Sequence, residues 1–298
     1  AMEMFRSGRR PRDKSEQMIF YNLQGMEYIR TLQGEALTPE LVCAIHARMM
    51  QGTINDEDLG RMQTSGDERV QVVSNTDQTV LHTPPPADQL PTRISAMCDF
   101  ANAVGEAEFL HPVIRAIALH LWLAYDHPFE DGNGRTARAL FYWSMLNAGY
   151  WMFEFISISS ILRSASGQYA RAYLHTETDE NDATYFIVYQ LQVIRTALHA
   201  LERYLEKKTH EIQQAEKMLG DVHELNYRQM ALLSHALRKP RADFTIHSHK
   251  VSHRVAYATA RADLLELVER GLLSRRTMGN ALHFSAGQTL REMRAQAE

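Results

Sequence analysis

Residues 111–126, HPVIRAIALHLWLAYD, place apolar side chains on nearly every side of a helix, then run straight into HPFEDGNGRTAR, residues 127–138. A helix that is apolar all round has no face to give to water, so it belongs at the centre of a core. Pro112 sits near its start, where a missing N–H does no harm. After the Gly-Asn-Gly triplet, RTARALFYWSML contains no Gly or Pro before Gly149, so a second helix is expected there. The chain must therefore fold around a central helix whose end is joined, through a short polar stretch, to the start of another.

The flanks are also mostly helical. Met18, Ile19, Leu23, Tyr28, Ile29 and Leu32, then Leu41, Ile45 and Met49, recur at helical spacing, with Thr38 and Pro39 as a helix start between them. RVQVV (69–73) and TVL (79–81) are short β-like runs around SNTDQ, so a hairpin is expected at about 69–82, ended by Pro84, Pro85 and Pro86. Tyr185–Leu219 reads as one long helix or two nearly collinear ones, with a polar second half suited to a connector. A boundary near residue 220 divides a domain at 1–219 from a second at 221–298. In the second, LNYRQMALLSHAL and ATARADLLELVERGLL are helical, and SRRTMGNALHFS carries a Gly-Asn turn between two strands. Helix, short helix near Ser248–Ser252, helix, basic hairpin is the order of a winged helix-turn-helix. The fold class expected is mainly α, with a hairpin and a small α+β domain.

Two cysteines, Cys43 and Cys98, suit free thiols in a reducing cytoplasm better than a disulfide framework. No apolar run approaches a membrane span. The net charge of −4 argues against a nucleic-acid footprint over the whole chain, while leaving room for a local one.

The twelve residues of HPFEDGNGRTAR combine groups that seldom meet by chance. Gly132 and Gly134 take positive φ readily and Asn133 tolerates it, so successive N–H groups can turn into one anion-binding concavity. That concavity lies at a helix N-terminus, where the helix dipole also favours an anion. Arg135 and Arg138, three apart, share a helix face and can each fork onto phosphate oxygens. Together these features specify a polyphosphate. His127 has the ordinary pKa of a base near neutrality. Asp131 is a hard oxygen ligand beside the phosphate site, suited to Mg2+. Phe129 between them is expected to anchor the loop in the core. Glu130 receives no role.

This stretch fits the motif of the Fic family, H-x-F-x-(D/E)-G-N-G-R-x-x-R, at each specified position. GRMQTSGDERVQVV followed by TVLHTPPP is similar to that family's flap hairpin and proline segment, so the resemblance covers Ser15 to about Leu205. It implies a helical Fic core with a flap over the active site, and transfer of AMP from ATP to a Ser, Thr or Tyr hydroxyl of a target protein. His127 would be the base and Asp131 the Mg2+ ligand. Gly132, Asn133 and Gly134 would cradle phosphates, Arg135 would steady the β-phosphate region and Arg138 the γ-phosphate. Val70, Gln71, Val72 and Val73 of the flap would dock the target by strand-like pairing. Relatives that phosphorylate carry Lys where this chain has Gly134, so nucleotidyl transfer is favoured. Transfer of another phosphate-containing group, and removal of AMP, stay open.

Tyr169 or Tyr173 would flank the adenine or else serve the core. Many Fic proteins carry an inhibitory helix, (S/T)-x-x-x-E-(G/N), whose Glu covers the second motif arginine. The one literal match, TETDEN (176–181), reads as a polar loop between helices. An inhibitory helix is therefore expected in cis beyond this chain or in trans from a partner, an antitoxin-like protein among them. From Arg238 to Arg276, nine Lys/Arg stand against four acids, so duplex DNA is one expected partner of the second domain. A homo-oligomer contact or a target-docking surface is the other reading. A DNA-binding regulator whose Fic core senses nucleotide is the rival function. Against it stand His127 and Asp131, since a sensor needs no base. His247, His249 and His253 lack clear metal-ligand spacing and suit surface or packing positions.

Overall fold

The computed structural model describes residues 10–73, 80–105, 108–156, 162, 166–219, 225–239, 241–278 and 281–297. They divide into two compact units, Arg12–Leu201 and a second made of the residues from Glu202 onward together with those up to Pro11. The fold is mainly helical, with a two-stranded hairpin and a three-stranded sheet.

In the first unit, α1 spans Lys14–Thr31 and α2 spans Pro39–Met50. Thr38 caps α2 by accepting the Leu41 N–H at 3.2 Å, and Pro39 opens it. Ile29 of α1 and Leu32, which caps its end, reach the core. Met18, Ile19 and Leu23, although helically spaced, remain exposed. The hairpin pairs β1 (Val72–Val73) with β2 (Val80–His82) antiparallel, in the register Val72↔His82 and Val73↔Val80. Its expected turn, SNTDQ, lies outside the described residues, as do the side chains of Val72 and Val73.

Then follow α3 (Leu90–Ala101), α4 (Pro112–Asp126), α5 (Asn133–Asn147), α6 (Ser166–Thr178) and α7 (Thr184–Leu219). The last is one unbroken helix of 36 residues, and the division between the units falls within it. The apolar patterning of α4 and α5 explains the core. The first buries Ala116, Ile117, Leu119, His120 and Leu123; the second buries Thr136, Ala137 and every residue from Ala139 to Leu146. Each large apolar side chain taken from water there contributes about 1.5–3 kcal/mol. The two helices pack on each other, so the loop joining them starts and ends on fixed points. TETDEN does not form a loop throughout: Thr176–Thr178 complete α6, and the turn begins at Asp179. Cys43 is half-buried and Cys98 buried; both are free.

The second unit contains α8 (Tyr227–Arg238), β3 (Phe244–Thr245), α9 (Ile246–His253), α10 (Tyr257–Glu269), β4 (Leu273–Met278), β5 (Ala281–Ala286) and α11 (Gln288–Ala297). Its sheet has the order β3-β5-β4, with both pairings antiparallel. Asn226 and Gln229 form a reciprocal cap on α8, and Thr245 and Ser248 do the same for α9. Leu233, Ala260, Leu264, Leu267 and Phe284 form the centre of its core. His249 is 3% exposed, with Nε2 3.0 Å from Asp263 Oδ2, so it belongs to helix packing. Gly279 and Asn280, the expected turn between β4 and β5, lie outside the described residues.

Candidate active site

His127 ends α4 in the left-handed region, φ 47° and ψ 51°, with its N–H on Leu123 O at 3.0 Å. That backbone turns the chain sharply out of the helix. The ring Nδ1 lies 3.2 Å from Ala124 O. A carbonyl only accepts, so Nδ1 carries the hydrogen and Nε2 is left with its lone pair. Burial holds the His127 pKa below its usual 6.5, against the Ala124 bond, which raises it; His82 and Arg69 add to the lowering. The ring is therefore neutral at pH 7.

Phe129, 0% exposed, fixes the loop below it. Asn133 clasps its backbone at two points: Oδ1 accepts the Phe129 N–H at 2.9 Å and Nδ2 donates to Phe129 O at 2.7 Å. The Asn133 side chain is thus turned inward, and its main-chain N–H is what it can offer a phosphate. Gly132 caps α5 at φ 85°, and a Cβ there would fall 2.4 Å from Met50 Sδ, so no side chain fits. A Cβ on Gly134 would come within 3.3 Å of Arg138 Nη1. The amides of Asn133, Gly134 and Arg135 open α5 and precede any intrahelical acceptor; Thr136, on Gly132 O, makes the first such bond.

Asp131 presents its carboxylate to solvent, with one oxygen on the Gly132 N–H at 2.6 Å and the other 3.4 Å from Arg135 Nη2. Arg135 also donates to Thr53 Oγ1 at 3.0 Å. Arg138 is half-buried, and among the described residues no carboxylate pairs with it. Its surroundings include Tyr142, Tyr169 and the buried His120. Burial, aided by the Arg138 charge, holds His120 down at about 3. Tyr169 hydrogen-bonds His120 at 3.3 Å, and Tyr173 stands edge-on to His82; both tyrosines pack against the core. Glu180, the residue of TETDEN at the glutamate position of the inhibitory pattern, is exposed in its turn at φ 51°. Among the described residues, no group of three or more His, Cys, Asp or Glu is arranged to hold a metal alone.

Two positioning residues escaped the sequence. His46 stacks on Phe129 at 3.7 Å between ring centroids and is 1% exposed. Its Nδ1 accepts the Gly60 N–H at 2.9 Å, so Nε2 carries the hydrogen and donates to Asp131 O at 2.9 Å. Arg69, at the base of the hairpin, donates to Pro85 O at 2.9 Å, Asp126 O at 2.7 Å and His127 O at 3.1 Å, and also bonds Gln63 Oε1. It caps the carbonyl end of α4 and ties the hairpin to the histidine. Gln63 adds its own N–H to Pro128 O at 2.8 Å. Of the flap residues, Val70 is half-buried and Gln71 exposed, and neither shows which way a target would lie.

The site thus joins a neutral histidine, a solvent-facing carboxylate, an amide-lined helix start and two guanidinium groups. Residues 36–145 match the model of the Fic/DOC family. The chain is 30% identical over 130 residues to a protein named protein adenylyltransferase Fic from Nematostella vectensis, covering 43% of this chain and 28% of that one. A protein of the same name from Culex quinquefasciatus is 43% identical over 70 residues, 23% of this chain and 14% of its own length. The matched parts span less than a third of these relatives. The crystal structure of a Fic family protein from Desulfovibrio desulfuricans G20 aligns over 96% of this chain and 80% of its own, at 18% identity and a TM-score of 0.57. That likeness shows the fold.

Proposed function

We propose, from the Fic domain carried over residues 36–145, that this protein transfers AMP from ATP to a Ser, Thr or Tyr hydroxyl of a target protein. The observation that carries this reading is the His127 ring: Nδ1 is held by Ala124 O, and Nε2 is free to take a proton beside a polyphosphate-sized set of donors. The curated relatives named adenylyltransferases support it. Nε2 takes the hydroxyl proton. The freed oxygen forms its bond to the α-phosphorus in line. The bond from that phosphorus to the bridging oxygen breaks, and pyrophosphate leaves with the electron pair. The amides at the start of α5 and the guanidinium of Arg135 receive the phosphate charge. Arg138, with no acid partner among the described residues, holds the far end of the triphosphate.

Mg2+ binds through one or two carboxylates and fills its shell with substrate phosphates and water. The single exposed carboxylate of Asp131, steered by Gly132 and carried on a loop held by His46, fits that requirement. When bound, the ion would neutralise phosphate charge. The target segment would pair along the hairpin near Val70, Gln71, Val72 and Val73. Arg138, half-buried and with no acid partner among the described residues, also suits an inhibitory glutamate supplied in cis or in trans. The second unit is read as a winged helix-turn-helix.

Mass spectrometry of a proteome co-expressed with this protein tests the reading. A 5′-AMP adduct on hydroxyl side chains, present with the wild type and missing with His127→Ala, is expected. A proteome without such adducts, from cells in which the wild-type protein is folded and abundant, would refute it.

A further inference from the structure

Charge is divided unevenly along this chain. From Leu225 to Glu298 there are twelve Lys/Arg against six Asp/Glu, whereas residues 1–224 hold twenty against thirty. A net charge of −4 thus hides a strongly basic C-terminal part. Of the six acids from Leu225 to Glu298, three are paired with neighbouring arginines among the described residues. Asp263 is bonded by Arg228 and His249, Glu266 by Gln229 and Arg270, and Asp243 by Arg276 and His283. Lys239, Arg241, Lys250, Arg261 and Arg275 remain exposed and, among the described residues, paired with no acid.

Placement matters as much as charge. Helix α10 follows α9 after a short turn at Arg254–Ala256, and it buries Ala260, Asp263, Leu264 and Leu267. The opposite side exposes Tyr257, Ala258, Arg261 and Ala262. The two alanines let the helix backbone approach a partner closely, with an arginine and an aromatic ring beside them. Strand β4 lies at the sheet edge, and every residue from Ser274 to Met278 is exposed, including Arg275 and Arg276. Two successive helices with the second outward-facing match how helix-turn-helix proteins enter the major groove, and basic residues on an adjoining hairpin meet the phosphates.

We infer that the second unit binds duplex DNA, with α10 facing the major groove and Lys239, Arg241, Lys250, Arg261 and Arg275 meeting phosphates, an activity separate from AMP transfer. Five unpaired cations neutralising phosphates would give a slope near −4.5 in log K against log salt, so affinity falls roughly 500-fold between about 50 and 200 mM NaCl. The test is fluorescence anisotropy of the full chain with a labelled mixed-sequence duplex of about 25 base pairs. Arg261→Glu with Arg275→Glu is expected to weaken binding at least tenfold at low salt and to lower the slope by about two. Arg48→Glu with Arg195→Glu, an equal charge change on exposed residues of the first unit, is expected to bind within about twofold of wild type. Both double variants should retain auto-AMP labelling, and His127→Ala should retain DNA binding, so the two activities fail independently. No binding at low salt, equal binding by the Arg261/Arg275 variant, or competition by polyglutamate as strong as by unlabelled duplex would each overturn the inference. The last outcome would mark an acceptor for polyanions in general, an acidic protein surface among them.

Discussion

Replacing Asn133 by Ala separates two roles that this residue could play. Its side chain bonds both the N–H and the carbonyl of Phe129, at 2.9 and 2.7 Å, in a fully buried setting. Ala leaves both groups without partners and without water. A buried polar group stripped of its partner costs about 1–3 kcal/mol, so a loss of about 2–4 kcal/mol is expected after partial relaxation. For a unit of this size, each kcal/mol moves Tm by about 2–4 °C, which places the fall at about 4–16 °C. AMP labelling should fall with it, because His127, Asp131 and Gly132 hang on the same loop. Circular dichroism melts, with and without ATP and Mg2+, give the stability; labelling at a temperature where both proteins are folded gives the activity. A variant that melts within about 1 °C of wild type, yet has lost labelling, would refute the clasp and assign the Asn133 side chain to the nucleotide.

Other outcomes follow from the same geometry. Because burial and neighbouring charges depress the His127 pKa, the acid limb of kcat/KM should lie below pH 6.5, and removing the Arg69 cation by Arg69→Gln should move that limb upward in a pH–rate profile. His46→Phe keeps an aromatic ring on Phe129 but loses the bond to Asp131 O; titration of activity with Mg2+ should show apparent affinity falling about tenfold. His120 is held neutral, at about 3, in the folded state, whereas the unfolded chain takes up a proton below about 6.5. Stability is therefore full above that pH and declines as pH falls towards 3; at pH 5 the loss is about 2 kcal/mol from this residue, and urea melts of His120→Leu should show that much less dependence on pH.

Sequence patterning went far for features carried locally. The apolar surface of the helix at Pro112, the Thr38–Pro39 start and the glycine at position 132 each contain their physical reason within a few residues. The same holds for the hairpin, whose β-like runs lie side by side in sequence. What escaped was long-range. His46 is an ordinary helical histidine until folding brings it under Asp131, 85 positions later. Arg69 reaches Asp126 and His127 from 57 and 58 residues away, and a basic residue beside a hairpin gives no sign of that. Asn133 read as part of a phosphate cradle because its backbone freedom is local, while the inward turn of its side chain depends on the burial of Phe129. Helix spacing alone also does not say which side chains are buried: in α1, Met18, Ile19 and Leu23 have the right period but stay exposed.

The most direct trial of AMP transfer uses ATP labelled at either end. Incubated with Mg2+ and α-labelled ATP, the wild-type protein should label itself covalently. It should acquire nothing from γ-labelled ATP, since pyrophosphate leaves, and His127→Ala should acquire nothing from either. Label arriving from the γ-phosphate, or equal α-label on wild type and His127→Ala, would contradict both the reaction and the role of the histidine.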